Sequence, residues 1–175
     1  MTKDNIEGLA EIFLKLFFFL EVVISDFLSF HFIVSDDSRE GNRRNELCEF
    51  FIERITFGRK VEILEKVIDR HYPELKNAIT KSNLEHITKT RNKLAHSLLD
   101  YRRNSDYKKS IIHLQCFKKG DIYPDTLTYR ELDEATAFCS LIFSRLDLKV
   151  KKHRERENIL KAAQLRMSQI RTQNK

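Results

Sequence analysis

Apolar residues recur every three or four positions over residues 9–28, which is the spacing of one helix face. The pattern predicts a first helix over residues 4–34, with Ser29 as the point where it could break. Phe18 and Phe19 widen the apolar stripe beyond what a single neighbouring element would cover. Such a helix is expected to be central to the core or to lie in a subunit interface.

A second helical region is predicted over residues 46–70, after a polar loop at residues 35–45. Gly58 is the place where this region could be interrupted, because glycine is a poor helix former. Pro73 ends the region and is suited to the first turn of a short helix through Ile79, because the missing N–H of proline has no partner there in any case.

Two capping boxes mark the starts of a third and a fourth helix. In this motif the side chains of a Ser or Thr and of a Glu three residues later each accept a hydrogen bond from the other's backbone N–H. Ser82-x-x-Glu85 predicts a third helix that continues to about residue 99. Thr128-x-x-Glu131 predicts a fourth helix that continues to about residue 146.

The segment between these two helices is predicted to form a β-hairpin. Residues 111–117 and 122–127 form its strands, and Pro124 restricts the second strand to a sheet edge. Only four Gly and two Pro in 175 residues favour helices over a β-sandwich. The predicted fold is mainly α: a bundle of four to five helices with a small β-hairpin over residues 1–148, followed by a basic helical tail over residues 149–175.

The net charge of +6 is concentrated in the tail. Residues 149–175 hold nine Lys or Arg and two Glu, which gives them a net charge of +7 and leaves −1 for residues 1–148. Such a segment can bind RNA through phosphate contacts, and it can equally be a partner-binding helix or a solvated extension. Four apolar residues lie along one side of the predicted tail helix: Ile159, Ala163, Met167 and Ile170.

The cysteines Cys48, Cys116 and Cys139 are widely spaced, and no Cys/His set has metal-ligand spacing. We expect reduced, buried or half-buried thiols, no metal and no cofactor. Charged residues interrupt the apolar run over residues 9–34, which makes a membrane helix unfavourable, and acidic residues precede the run where a signal peptide would be basic. The sequence therefore predicts a cytoplasmic protein with no membrane segment.

Arg91 has the least expected position in the third predicted helix. On a wheel of about 100° per residue it falls in the middle of the apolar stripe. That stripe consists of Leu84, Ile87, Leu94, Ala95 and Leu98. A buried arginine is unfavourable without a partner, so we expect a carboxylate, a subunit interface or a bound phosphate to hold the guanidinium. Glu49 and Glu53 are candidate carboxylates.

Asn92 and His96 lie on a different face of the same predicted helix. They are neighbours four residues apart, whereas Arg91 and His96 are separated by about 140° around the axis and about 7.5 Å along it. A compact site on one helix is difficult at that separation. Two copies of the helix meeting about a two-fold axis would bring both Arg and both His into one cleft, so the spacing favours a homodimeric site.

The segment Arg91-Asn92-Lys93-Leu94-Ala95-His96 resembles the Arg-x4–6-His motif of the HEPN superfamily (higher eukaryotes and prokaryotes nucleotide-binding domain), in its RNxxAH form. The setting is similar too, with long helices before the motif and a hairpin and another helix after it. The resemblance implies a metal-independent endoribonuclease that cuts at a homodimer cleft and leaves 2′,3′-cyclic phosphate and 5′-hydroxyl ends. It also implies a toxin or antiviral-defence effector that cuts tRNA or other cellular RNA and is held inactive by an antitoxin or defence-system partner.

The resemblance also implies a role for each residue of the motif. His96 would take the proton of the 2′-hydroxyl or serve as the acid, and Arg91 would stabilise charge on the scissile phosphate. Asn92 would orient the neighbouring groups by hydrogen bonding. Four basic residues around the motif are candidate RNA contacts: Lys89, Lys93, Arg102 and Arg103.

Plainer interpretations exist for the same residues. Arg91 could make a structural ion pair, His96 could be an ordinary histidine favoured by the dipole at a helix C-terminus, and Arg102 and Arg103 could belong to a solvated loop. The second functional hypothesis is accordingly a non-catalytic HEPN-like module that binds RNA, a nucleotide or a partner protein. A purely structural helical adaptor would leave an arginine in the buried stripe unexplained.

Overall fold

Four α-helices and a three-stranded antiparallel sheet make up the part of the chain that the computed structural model describes, residues 3–32, 51–99, 111–118 and 121–173. The helices are α1 (Lys3–Phe32), α2 (Phe57–His71), α3 (Lys81–Ala95) and α4 (Tyr129–Gln173). The strands are β1 (Ser97–Leu99), β2 (Ile111–Lys118) and β3 (Asp121–Thr128). The mainly-α class and the hairpin between the third and fourth helices are confirmed.

α1 is one uninterrupted helix of 30 residues, so the break predicted near Ser29 does not occur. Ser25 and Ser29 donate hydrogen bonds to the carbonyls four residues earlier, at 2.9 and 2.6 Å. Their hydroxyls are therefore satisfied inside the helix instead of competing with it. The loop predicted at residues 35–45 and the second-helix residues 46–50 lie outside the described part of the chain.

The inner face of α1 is the centre of the hydrophobic core, as its wide apolar stripe predicted. The buried side chains of this face are Phe13, Phe17, Leu20, Ile24, Phe27 and Leu28. Phe18 and Phe19 do not belong to that face, because they are 62% and 52% exposed. The stripe is wide because α1 has apolar residues on both its buried and its solvent-facing sides.

α2 begins at Phe57, where Thr56 caps it, so the second helical region is interrupted just before Gly58; residues 46–50 lie outside the described part of the chain. The Thr56 hydroxyl accepts a hydrogen bond from the backbone N–H of Arg59 at 3.4 Å. The interruption expected near Gly58 is therefore a helix start. At the other end Pro73 opens a single turn of 3₁₀-helix, Pro73–Leu75; the start is as predicted, but the helix ends at Leu75 and not at Ile79.

The start of α3 is capped by Thr80 and not by Ser82. The Thr80 hydroxyl accepts from the backbone N–H of Asn83 at 3.2 Å, and the helix begins at Lys81. Two cap residues lie close together in the sequence, and the earlier one is used. The predicted helix was therefore correct, but its predicted capping box was wrong.

The end of α3 also differs from the prediction, because the helix stops at Ala95 with His96 as its C-cap. The next three residues form β1, which pairs with β2 and aligns Ser97 with Cys116. Pairing with a strand distant in sequence is more favourable here than another helical turn, since it satisfies the backbone groups of β1 in a sheet ladder. The expected continuation to residue 99 was wrong.

The hairpin and the start of α4 agree with what the sequence predicted. β2 and β3 pair along eight residues each, and Pro124 lies in β3 at an edge of the sheet. The capping box is reciprocal: the Thr128 N–H donates to Glu131 Oε2 at 2.6 Å, and the Glu131 N–H donates to Thr128 Oγ1 at 3.1 Å. These bonds satisfy two N–H groups that the helix start leaves without partners.

α4 continues for 45 residues without a break at residue 146 or at the predicted body–tail boundary. Val150 is buried, Lys149 pairs with Glu74, and Arg154 pairs with Asp26 at 2.7 Å. The first residues of the predicted tail therefore pack against the helical body. Beyond them Ile159 is exposed, as is Ala163, and the side chains of Met167 and Ile170 lie outside what the structure describes.

Two of the cysteines lie in the described part of the chain, and neither is in a disulfide there. Cys139 is buried in α4, and burial raises the pKa of its thiol to about 12. Cys116 is half-buried in β2, whereas Cys48 lies outside the described residues. None of the described helices has the length and apolarity that crossing a membrane requires.

Three histidines from three helices meet near the C-terminal end of α1. The rings of His31 and His71 lie 4.8 Å apart between centroids, and the ring of His153 stacks on Phe30 at 5.9 Å. Burial lowers the pKa of His31, and the charges of His71 and His153 lower it further. Burial is also the main cause that lowers the pKa of His153.

These lowered pKa values predict that acid weakens the fold. The unfolded chain binds protons near the ordinary histidine pKa of about 6.5, while folded His31 and His153 bind them only at lower pH. Stability is therefore full above about pH 6.5 and is lost as the pH falls below it. We expect the unfolding free energy of the double variant His31→Gln/His153→Gln, measured by urea titration, to fall less than that of wild type between about pH 7.5 and about pH 5.5. Equal losses in the two proteins would contradict this account.

Candidate functional site

The motif occupies the last turns of α3 and its C-cap. His96 has φ −108° and ψ 16°, and its N–H donates to the Asn92 carbonyl at 3.2 Å. The His96 carbonyl accepts from the backbone N–H of Phe117 in β2 at 3.1 Å. The backbone of His96 is thus fixed between a helix end and a sheet, while its side chain is exposed.

Arg91 is half-buried at the edge of α3's inner face and not in the middle of it. Thr90 takes the buried position next to it, with Ile87 about one turn and Leu84 about two turns earlier. The Arg91 guanidinium carbon lies 5.5 Å from the centroid of the Phe17 ring, which belongs to α1. A cation over an aromatic face is attracted by the negative potential of that face, so Phe17 supports the charge without neutralising it.

Arg91 makes one hydrogen bond within the described residues, from Nη1 to the side-chain oxygen of Asn92 at 3.2 Å. No described carboxylate lies within ion-pair distance of it; Glu53 is exposed, and Glu49 is outside the described part of the chain. A guanidinium has five N–H donors in a planar fork. The arrangement therefore leaves donors for a phosphate or carboxylate that approaches from solvent.

Asn92 connects the two other motif residues. Its side chain accepts from Arg91, and its backbone carbonyl accepts from the N–H of His96. The second of these bonds is the ordinary helical bond between residues four positions apart, so α3 is regular up to the N–H of His96. The separation of about 140° between Arg91 and His96 therefore remains the expectation within one chain.

The His96 ring opens onto a shallow depression of about 270 Å³. Its walls are formed by Ala95, His96, Ser97 and Phe117. The depression is open to solvent, so one copy of the chain does not enclose a substrate there. Among the described residues, no group of three or more His, Cys, Asp or Glu could hold a metal ion.

The candidate RNA contacts have different surroundings. Lys93 is turned towards the sheet: its Nζ donates to the Thr126 carbonyl at 2.8 Å and lies 3.8 Å from the Asp125 carboxylate. Lys89 is exposed in a groove of about 510 Å³ between α2 and α3. Three carboxylates also line that groove, those of Glu62, Glu65 and Glu85, and they would repel a phosphate. Arg102 and Arg103 lie outside the described residues.

A polar network beside His96 was not predicted from the sequence. The Ser97 hydroxyl donates to the Lys93 carbonyl and lies 2.8 Å from the Cys116 thiol. The thiol in turn donates to Asp125 Oδ2 at 3.7 Å. The register of β1 against β2 is the feature that brings these groups together, and it is visible only once β1 is known to be a strand.

Within the described residues the buried cation is Lys60 and not Arg91. Its side chain is 5% exposed, and its Nζ lies 3.1 Å from Glu21 Oε1 on α1. Lys60 shares the buried face of α2 with Val61, Leu64 and Val67. The spacing of residues 60, 64 and 67 is helical, so a wheel of α2 would have placed this lysine inside.

Comparison of the chain with protein-family models, with curated proteins and with solved structures finds no match. The resemblance to the HEPN superfamily therefore depends on the motif and its setting in the fold.

The different surroundings of Arg91 and Lys60 predict different effects on stability. Glu21→Gln leaves the Lys60 ammonium without a counter-charge, and we expect it to lower the unfolding free energy by about 2 kcal/mol or more. Arg91→Ala removes a cation–π contact at a half-exposed position, for which the expected loss is below about 1 kcal/mol. Denaturant unfolding of both variants tests this. A larger loss for Arg91→Ala than for Glu21→Gln would show that Arg91 is a structural residue.

Proposed function

We propose that the chain is a metal-independent endoribonuclease of the HEPN type that acts as a homodimer, as a toxin or antiviral-defence effector. The observation that carries the proposal is the condition of Arg91. It lies 5.5 Å over Phe17 and bonds to Asn92, and no described carboxylate neutralises it. A supported but unneutralised guanidinium beside an exposed histidine is suited to a phosphate whose neighbouring hydroxyl must lose a proton.

The proposed reaction uses the 2′-hydroxyl of RNA as the nucleophile. A His96 imidazole takes the proton of that hydroxyl, and the 2′-oxygen forms a bond to phosphorus. Arg91 stabilises the charge that develops on the phosphate oxygens. The bond from phosphorus to the 5′-oxygen breaks, and that oxygen gains a proton. The products are a 2′,3′-cyclic phosphate and a 5′-hydroxyl, and no metal is needed.

A homodimer supplies two imidazoles where one copy supplies one. One His96 can then act as the base while its counterpart acts as the acid, which a single shallow depression beside a single histidine does not allow. The openness of the depression also fits the alternative function. If the copies do not meet at His96, the open depression and the free guanidinium are better suited to a non-catalytic module that binds RNA, a nucleotide or a partner protein.

The outer face of α1 supports self-association. It exposes five large apolar side chains within three turns of one helix: Ile12, Leu14, Phe18, Phe19 and Val22. Contiguous apolar patches of this kind mark interaction sites on soluble proteins. Phe18 lies at the same level of α1 as Phe17, the residue that contacts Arg91, but on the opposite, exposed face of the helix.

Beyond Arg154, α4 is a basic helix whose described side chains are mostly exposed, and it is the segment that we assign to RNA or to a regulating antitoxin or defence-system partner. Both ligands suit its charge, because each can present an acidic or phosphate-bearing surface.

The proposed activity predicts RNA cleavage that a chelator does not stop. Purified protein incubated with total RNA or with a tRNA pool in the presence of EDTA should yield 2′,3′-cyclic phosphate and 5′-hydroxyl ends. Arg91→Ala and His96→Ala should each lower the rate by a hundredfold or more, roughly the contribution of one acid–base or charge-stabilising group. Expression of the wild type, but not of His96→Ala, should stop growth of the host.

Arg145→Ala and His71→Ala are the matched controls, because both residues are exposed and lie on other helices. They should keep wild-type rates. Binding of RNA without any cleavage, by a wild-type protein whose controls are folded, would favour the non-catalytic module.

The dimer is tested by molar mass in solution. We expect wild type to have twice the mass of one chain, and Phe18→Ser/Val22→Ser to have the mass of one chain, because it removes apolar area from the exposed face of α1. Leu148→Ser is the control, since Leu148 is similarly exposed on α4. Cleavage should fall with the loss of the dimer. A monomeric wild type would contradict the proposed dimer cleft.

A further inference from the structure

We propose that Lys93 and Asp125 are positioning residues that hold His96 in place, and that Lys93 does not contact RNA. The inference rests on the proposed function for its kinetic consequence, but its structural part concerns the folded chain alone. It assigns a role to four side chains that are joined by contacts on either side of His96 in the sequence: Lys93, Ser97, Cys116 and Asp125.

The first part of the network lies before His96 in the sequence. The Lys93 ammonium donates to the Thr126 carbonyl at 2.8 Å and faces the Asp125 carboxylate at 3.8 Å. Asp125 itself is fixed, because its Oδ1 accepts from the Thr126 N–H at 2.7 Å. The last turn of α3 is thereby joined to the edge strand β3.

The second part lies directly after His96. The Ser97 hydroxyl donates to the Lys93 carbonyl, one of the carbonyls that a helix C-terminus leaves without a backbone partner. Ser97 also contacts the Cys116 thiol, and that thiol donates to Asp125. The contacts close a ring that runs from Lys93 through Asp125, Cys116 and Ser97 back to Lys93.

His96 lies inside this ring of contacts, between Lys93 and Ser97. Its backbone is bonded on both sides, to Asn92 and to Phe117. No side chain in the described part of the chain hydrogen-bonds its imidazole, so the contacts that position His96 act on its backbone, which places the Cα–Cβ bond from which the ring extends. Contacts that hold the backbone of His96 in place therefore also restrict the region that its imidazole can reach.

The surroundings of Lys93 also distinguish positioning from RNA binding. Its side chain is 33% exposed, and its charge is opposed by Asp125. A lysine that attracts phosphates would instead be exposed and without a carboxylate beside it. We infer that the basic residue within the motif serves the fold of the site.

The test separates turnover from substrate binding. Lys93→Met and Asp125→Asn should each lower kcat for RNA cleavage roughly 10- to 100-fold, because small displacements of a reacting group have effects of that size. KM and its dependence on salt should stay within about twofold of wild type, because no phosphate contact is lost. Lys93→Arg should keep most of kcat, since its guanidinium can still donate to Thr126 and face Asp125.

Lys81→Met is the matched control. Lys81 lies on the same helix and faces a carboxylate, Glu85, at 3.9 Å, but it is at the opposite end from His96. The control should leave kcat and KM unchanged. A raised KM with unchanged kcat for Lys93→Met would overturn the proposal and identify Lys93 as an RNA contact.

A second measurement needs no RNA. In Lys93→Met, the backbone N–H groups of His96 and Phe117 should exchange with solvent at least tenfold faster than in wild type, while those of α2 are unchanged. This result with a wild type that cleaves no RNA would support the network and remove the proposed activity. Unchanged exchange at His96 and Phe117 would overturn the positioning role, whatever the activity.

Discussion

Burial of the inner face of α1 is the constraint on which the other elements depend. The first aromatic residues of this face meet α2, as Phe17 meets Phe57 at 4.6 Å, and its last ones meet α4, as Phe30 meets His153. Among the described residues, α1 supplies five of the twelve largest fully buried side chains. Because α1 is one continuous helix, the helix at the centre of the core also supplies the Phe17 ring that contacts Arg91.

The parts of the fold that the sequence predicted are those whose cause is local. The Thr128–Glu131 capping box and the helical spacing of α1 depend on residues three or four positions apart, and both are present as expected. The end of α3 depends instead on Ser97 meeting Cys116, 19 positions later. No local pattern contains that pairing, so periodicity extended the helix through residues that belong to a sheet.

In the candidate site too, features with a local cause were predicted and those that depend on distant residues were not. The sequence picked out Arg91, Asn92 and His96; in the structure the Arg91 side chain bonds to that of Asn92, and His96 follows as the C-cap of α3 with its side chain exposed. What it could not supply was the partner of Arg91, because an aromatic face on another helix has no signature in the spacing of α3. Of the two candidate carboxylates, Glu53 is exposed and Glu49 lies outside the described residues. Polar side chains that we propose position the site, such as Asp125, were not predicted from the sequence either, because their contacts depend on strand register.

The length of α4 has a consequence for the half of this helix that lies beyond Arg154. Its 45 residues form a rod of about 67 Å, of which roughly the last 28 Å extend beyond Arg154. Forming the first turn is the unfavourable step for a helix, and the packed half of α4 has already taken it, so the distal half grows from an existing nucleus. The distal half therefore needs no nucleation of its own and can stay helical where it no longer packs against the body.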